Sequence, residues 1–163
     1  MLAIGLLIIG ILSRYLIHIP NFTPVLAIAL FGGVYLNKRY AILLPLALMV
    51  ISDLIIGMHS TAIFTWGSMV LIGVMGLWLR NHKNWKTVFA SSLASAILFF
   101  IVSNLGVWLV GDLYPMTGQG LVECFLMAIP FFGNTLLSTL IYTAVLFGSY
   151  QWFGARNPKP AYR

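Results

Sequence analysis

Acidic residues are almost missing from this chain: Asp and Glu number three in 163 residues, against nine Lys and Arg. Charged residues make up only 7% of the sequence, and 61% is hydrophobic. A soluble domain is typically about 45–50% apolar and about 25% charged. The composition therefore excludes a water-surrounded globule and points to an integral membrane protein. One cysteine, Cys124, excludes an internal disulfide and says little about redox compartment. There is no phosphate-binding Gly-rich loop with Lys-Ser/Thr, no His-Glu-x-x-His and no Gly-x-Ser-x-Gly. The chain thus lacks the means to hydrolyse ATP by itself, and no nucleophile–base or metal constellation marks an enzyme. A proton relay would need a line of intramembrane carboxylates and histidines, and none is present. No repeat or low-complexity run divides the chain, so residues 1–163 read as a single transmembrane domain with no cofactor.

The charges that remain are sorted. Lys38, Arg39, Arg80, Lys83, Lys86, Arg156, Lys159 and Arg163 fall in two short connections and a tail. Asp53, Asp112 and Glu123 lie at or toward the ends of apolar runs that also carry Arg14, His18 and His59. Cations spread over loops in this way mark cytoplasmic loops of a membrane protein, with some attraction to anionic lipid, rather than a nucleic-acid surface. The net charge of +6 fits that reading. A spanning helix needs about 17–25 apolar residues. The apolar runs predict helices near 2–18, 24–37, 40–57, 62–80, 87–111 and 132–153, with an interfacial piece near 119–130 divided from the last helix by Pro130 and Gly133. The first run lacks a basic leader and a small-x-small site, so it reads as a retained helix. Six spans put both termini on the side of the Lys/Arg connections, the cytoplasmic side. The expected architecture is an all-α integral membrane protein, a six-transmembrane-helix bundle.

Helix rise then sets depth. Arg14 and Asp53 each lie a dozen or so residues from the inner ends of their helices, so both reach the outer half at about 1.5 Å per residue. Asn104 lies at least as far out, and Asn134 and Thr135 come in from the outer side. A charge inside the bilayer faces the bundle interior and has a partner. Arg14 and Asp53 therefore form either a fixed bridge, a ligand-binding pair, or both. Pro20-Asn21-Phe22-Thr23-Pro24 is a rigid turn, either a plain connector or a loop that leans Asn21 and Phe22 over a pocket. Asn104, Trp108, Tyr114 and Thr117 line the end of the fifth helix and the loop after it, where aromatics are also common interfacial residues. Glu123 either contacts a ligand or reaches water, and Cys124 reads as a small apolar filler. Small residues four apart, Ala29/Gly33, Ala90/Ala94, Ser91/Ser95 and Ser92/Ala96, permit close helix contact, inside the bundle or against another protein.

Four runs carry a resemblance. They are Pro20–Pro24 leading into Ala27-Ile28-Ala29-Leu30-Phe31-Gly32-Gly33-Val34-Tyr35-Leu36, Ile51-Ser52-Asp53-Leu54-Ile55-Ile56-Gly57, Ser103-Asn104-Leu105-Gly106-Val107-Trp108 and Pro130-Phe131-Phe132-Gly133-Asn134-Thr135. Together they resemble a family of small uncharacterised transport proteins that is similar to the substrate-binding S components of energy-coupling factor transporters. The resemblance implies a bundle that binds a micronutrient at its outer face, beneath the loop between its first two helices. It also implies a transmembrane coupling subunit and two ATPases as partners. S components often carry an Ala-x-x-x-Ala docking face on the first helix; here Ala3 is followed by Leu7. The resulting expectation is a bacterial inner-membrane transport protein for uptake of a small vitamin or cofactor precursor. Arg14, Asn21, Phe22, Asp53, Asn104, Trp108, Tyr114, Thr117, Glu123 and Asn134 would bind the substrate. The rival is a non-transporting membrane scaffold of a larger complex.

Overall fold

Side-chain caps set three of the six helix starts. Pro24 stands at the N-cap of a helix, Asn37 accepts from the backbone N–H of Arg39, and Asn84 forms a reciprocal capping box with Thr87. Thr117 Oγ1 accepts from the N–H of Gly120 at 3.2 Å and opens the last helix. Gly57, at φ +126°, ends the third in a conformation that favours glycine. The computed structural model describes residues 1–156 and contains α1 (Leu2–Leu16), α2 (Val25–Tyr35), α3 (Lys38–Ile56), α4 (Ala62–Asn81), α5 (Trp85–Val110) and α6 (Gly118–Arg156). Lys159 and Arg163 of the predicted basic tail lie outside the described residues.

Four of these helices, α3 to α6, are long and apolar enough to cross a membrane, whereas α1 and α2 have 15 and 11 residues. Many large apolar side chains on the outer faces are exposed, among them Ile8, Leu12, Leu54, Leu71, Ile97, Ile101 and Ile141. Such surface is rare on soluble monomers and suits hydrocarbon. The helices and their apolar exteriors are those of a multi-pass membrane protein.

The expected break at Pro130 and Gly133 does not occur: α6 runs unbroken for 39 residues, about 58 Å at 1.5 Å per residue. Pro130 sits on an exposed face, so its ring meets no neighbouring helix. In the turns after it the Thr135 and Thr139 hydroxyls donate to the carbonyls of Phe131 and Thr135. Membrane helices tolerate proline when local donors and packing compensate.

α2 is the hub. Every residue from Val25 to Val34 is buried, and all five other helices contact it. A helix apolar on all sides belongs inside a bundle. Its closest neighbour is α4, where backbone meets backbone. A Cβ at Gly33 would strike the Gly73 carbonyl and the Gly76 backbone, and one at Gly76 would strike the Leu30 carbonyl. Arg80 at the end of α4 donates to the carbonyls of Gly33 (2.7 Å) and Leu36, capping the C-terminus of α2 with a cation. α1 runs parallel to α3, with Gly10 against Leu48 and Arg14 beside Ser52 and Asp53. Arg14, Asp53 and His59 thus gather at one end, while Arg80 and Lys83 gather with Tyr35 at the other.

Candidate functional site

Asp53 stands near the end of α3 and is 1% exposed, so its charge must be met inside the protein. Both of its oxygens are met. Arg14 Nη1 lies 2.6 Å from Oδ1, and Trp66 Nε1 donates to Oδ2 at 2.6 Å. His59 Nε2 lies 3.4 Å from the same Oδ2, and its Nδ1 is 2.9 Å from Thr61 Oγ1. Arg14 Nη1 also contacts the Ser52 hydroxyl and Met49 Sδ. All three contacts fall on Nη1, while Nη2 and Nε bond nothing among the described residues. Arg14 borders a cavity. The ion pair is therefore a mount that holds one edge of the guanidinium and presents the other.

That cavity has a volume of about 260 Å³. Its roof is the 17–24 segment, through Ile17 to Asn21 and Thr23; its floor is the first turn of α2, through Val25 and Leu26. No side chain caps α2 there, so the positive end of its dipole lies at the cavity floor. The roof is latched to α6. Asn134 Nδ2 donates to the Pro20 carbonyl at 3.0 Å, Ser138 Oγ donates to the Asn21 carbonyl at 3.3 Å, and Phe22 meets Tyr142 edge-on at 6.0 Å. The three partners are spaced one turn apart, so residues 20–22 run down the side of α6 toward α2. Asn21 makes the turn at φ +59°, a left-handed conformation that asparagine tolerates.

A second chamber of about 210 Å³ adjoins the first, and Asn21, Phe99 and Thr135 line both. Its walls are Phe100, Phe131 and Phe132 with the polar side chains of Thr61, Thr65, Ser103 and Asn104. Asn104 Nδ2 donates to the Phe100 carbonyl at 2.7 Å, which fixes the amide.

The ten expected substrate-binding residues divide accordingly. Arg14, Asn21 and Asn104 line the chambers. Asp53 orients Arg14 from behind, and Asn134 holds the roof. Phe22 packs on Tyr142 rather than facing the cavity. Trp108 donates its indole N–H to the Pro115 carbonyl at 3.1 Å and closes the 111–117 loop that contains Tyr114. Thr117 caps α6, and Glu123 accepts from Gln119 one turn away at 2.9 Å. None of these last four borders either chamber. Cys124 is buried, with its thiol 3.4 Å from the Asn104 carbonyl. Among the described residues no cluster of His, Cys, Asp and Glu could hold a metal.

Trp66, Ser52, Phe99 and the phenylalanines of the second chamber escaped the sequence reading. An indole one turn into a span looks like any interfacial aromatic. Only the position of Asp53 two helix ends away could have flagged it.

The fold and site define a small helical membrane protein with a polar cavity near one end of the bundle. The chain belongs to the family of unknown function DUF6580, whose model matches residues 1–161. No curated protein and no solved structure matches it.

Proposed function

We propose that this protein binds a small vitamin or cofactor precursor at its outer face for uptake, as an S-component-like transport protein of the bacterial cytoplasmic membrane. The observation that carries the reading is the cavity beneath the 17–24 segment, with Arg14 in its wall. α1, the 17–24 segment and α2 together make one ascent and one return. The bundle then has six passes with both termini cytoplasmic, and Lys38, Arg39, Arg80, Lys83 and Lys86 share their side. A shallow apolar groove between α1 and α3, lined by Ala3, Leu7 and Ala47, offers a place for a transmembrane coupling subunit that two ATPases would drive. The chain performs no chemistry on its ligand.

Gentle purification, denaturation and mass spectrometry of the released small molecules test the reading. A stoichiometric vitamin-like compound is expected, with Arg14→Ala binding it at least tenfold more weakly in a protein that still elutes as a folded species. An empty protein that also gains no thermal stability from saturating vitamins lacks the linkage expected of a ligand specific to the folded state, and the reading is then lost. One observation favours a second reading. Ala90 and Ala94 point outward from α5, a close-contact face that suits a non-transporting scaffold. Co-purification of membrane proteins through that face, without a small molecule, would support it.

A further inference from the structure

Resting on the binding role proposed above, we infer that the ligand is a two-part molecule: an anionic group on a short chain, joined to a flat ring whose edge donates hydrogen bonds. The two chambers differ in chemistry and adjoin at the shared wall residues Asn21, Phe99 and Thr135, close enough for one ligand to occupy both where that wall parts. Among the described residues, Arg14 is the one Lys, Arg, Asp or Glu lining either of them, and no carboxylate faces the space. Asp53 is spent on Arg14, Trp66 and His59. A carboxylate or phosphate would meet Nη2 and Nε of Arg14, the bidentate geometry guanidinium favours. The uncapped first turn of α2 adds to that field without being needed to define it.

The second chamber is aromatic on its faces and acceptor-rich on its edges. Phe99, Phe100, Phe131 and Phe132 line it, and the rings of Phe100 and Phe132 stand 4.8 Å apart at 48°. Such a tilted set receives a planar ring by offset or edge contacts. Two of its hydroxyl protons are already committed: Thr65 donates to the Ala62 carbonyl and Ser103 to the Phe99 carbonyl. Both oxygens and Asn104 Oδ1 therefore remain as acceptors. A ring edge carrying N–H or O–H satisfies them, and one carrying only acceptors leaves them unpaired at a cost.

The probe is 4-(4-aminophenyl)butanoate, which has the ring, a neutral amine donor and the acid. It is compared by calorimetry with its carboxamide, with 4-phenylbutanoate and with 4-cyclohexylbutanoate, on the full chain in detergent. The complete probe should bind at least tenfold more tightly than each of the three. Asn104→Ala should weaken the preference for the amine while keeping that for the acid, and Arg14→Lys should weaken the acid preference while keeping that for the amine. Equal binding of the carboxamide or the cyclohexyl compound overturns the two-part class and leaves the binding role standing. So does failure of all four when a different small molecule is released from the purified protein. If no small molecule binds or is released, the class and the binding role fall together.

Discussion

Trp66 donates to a carboxylate that is 1% exposed and already bears the charge of Arg14. A hydrogen bond to a charged group is worth about 1.5–3 kcal/mol. Trp66→Phe should therefore lower stability by about that amount, measured by detergent unfolding. Trp78→Phe serves as the comparison, because Trp78 is largely exposed and only stacks on His82; it should change little. Asp53→Ala removes the mount and leaves Arg14 without its counter-ion in the bundle, where breaking a buried pair costs about 3–5 kcal/mol. It should cost more stability than Arg14→Ala, which leaves Asp53 the Trp66 and His59 contacts. Equal stability for the two variants would show that Trp66 and His59 do little to hold the carboxylate.

At the scale of elements, the α2–α4 contact should be intolerant and α6 tolerant. Gly76→Ala places a methyl against the Leu30 carbonyl. Backbone cannot yield as a flexible side chain does, so overpacking of about 1–3 kcal/mol or more is expected. Gly133→Ala meets nothing within 4 Å on an exposed helix face. It should stabilise by up to about 1 kcal/mol through helix propensity. A thermal-shift comparison of the two separates the cases. Much of this level was legible in the sequence. α3, α4 and α5 begin and end within two residues of the apolar runs, because Asn37, Gly57 and Asn84 are local signals. Arg14 and Asp53 were pairable by helix rise alone. The partners of Gly33 were not, because Gly73 and Gly76 are three apart and a backbone contact has no side-chain signature. The division at Pro130 was expected from a local rule, and α6 runs through it, as membrane helices can. The aromatic second chamber was invisible for a related reason: its phenylalanines come from two helices and look like lipid-facing residues until those helices pair.

For the whole molecule, the two ends are chemically distinct, and their sidedness can be measured. In a Cys124→Ser background, single cysteines at Met58 or Asp112 should react with a membrane-impermeant maleimide on intact cells. A cysteine at Lys83 should react only after lysis. The reverse pattern would invert the bundle and put the cavity on the cytoplasmic side. The chain sets its Arg14–Asp53–Trp66 cluster near the cavity and closes the opposite end with Arg80 on α2.

α6 grips the roof of the cavity by the carbonyl oxygens of Pro20 and Asn21. Every residue has such an oxygen, so these two catches, unlike the Phe22 contact on Tyr142, do not depend on which side chains the roof carries. Lid and selectivity are thereby separable heritable traits. Substitutions at Ile17, His18, Ile19 or Thr23 can alter what the cavity accepts while the catch on Asn134 and Ser138 stays shut. A lineage holding this scaffold could change its ligand in small steps without first losing the ability to hold one.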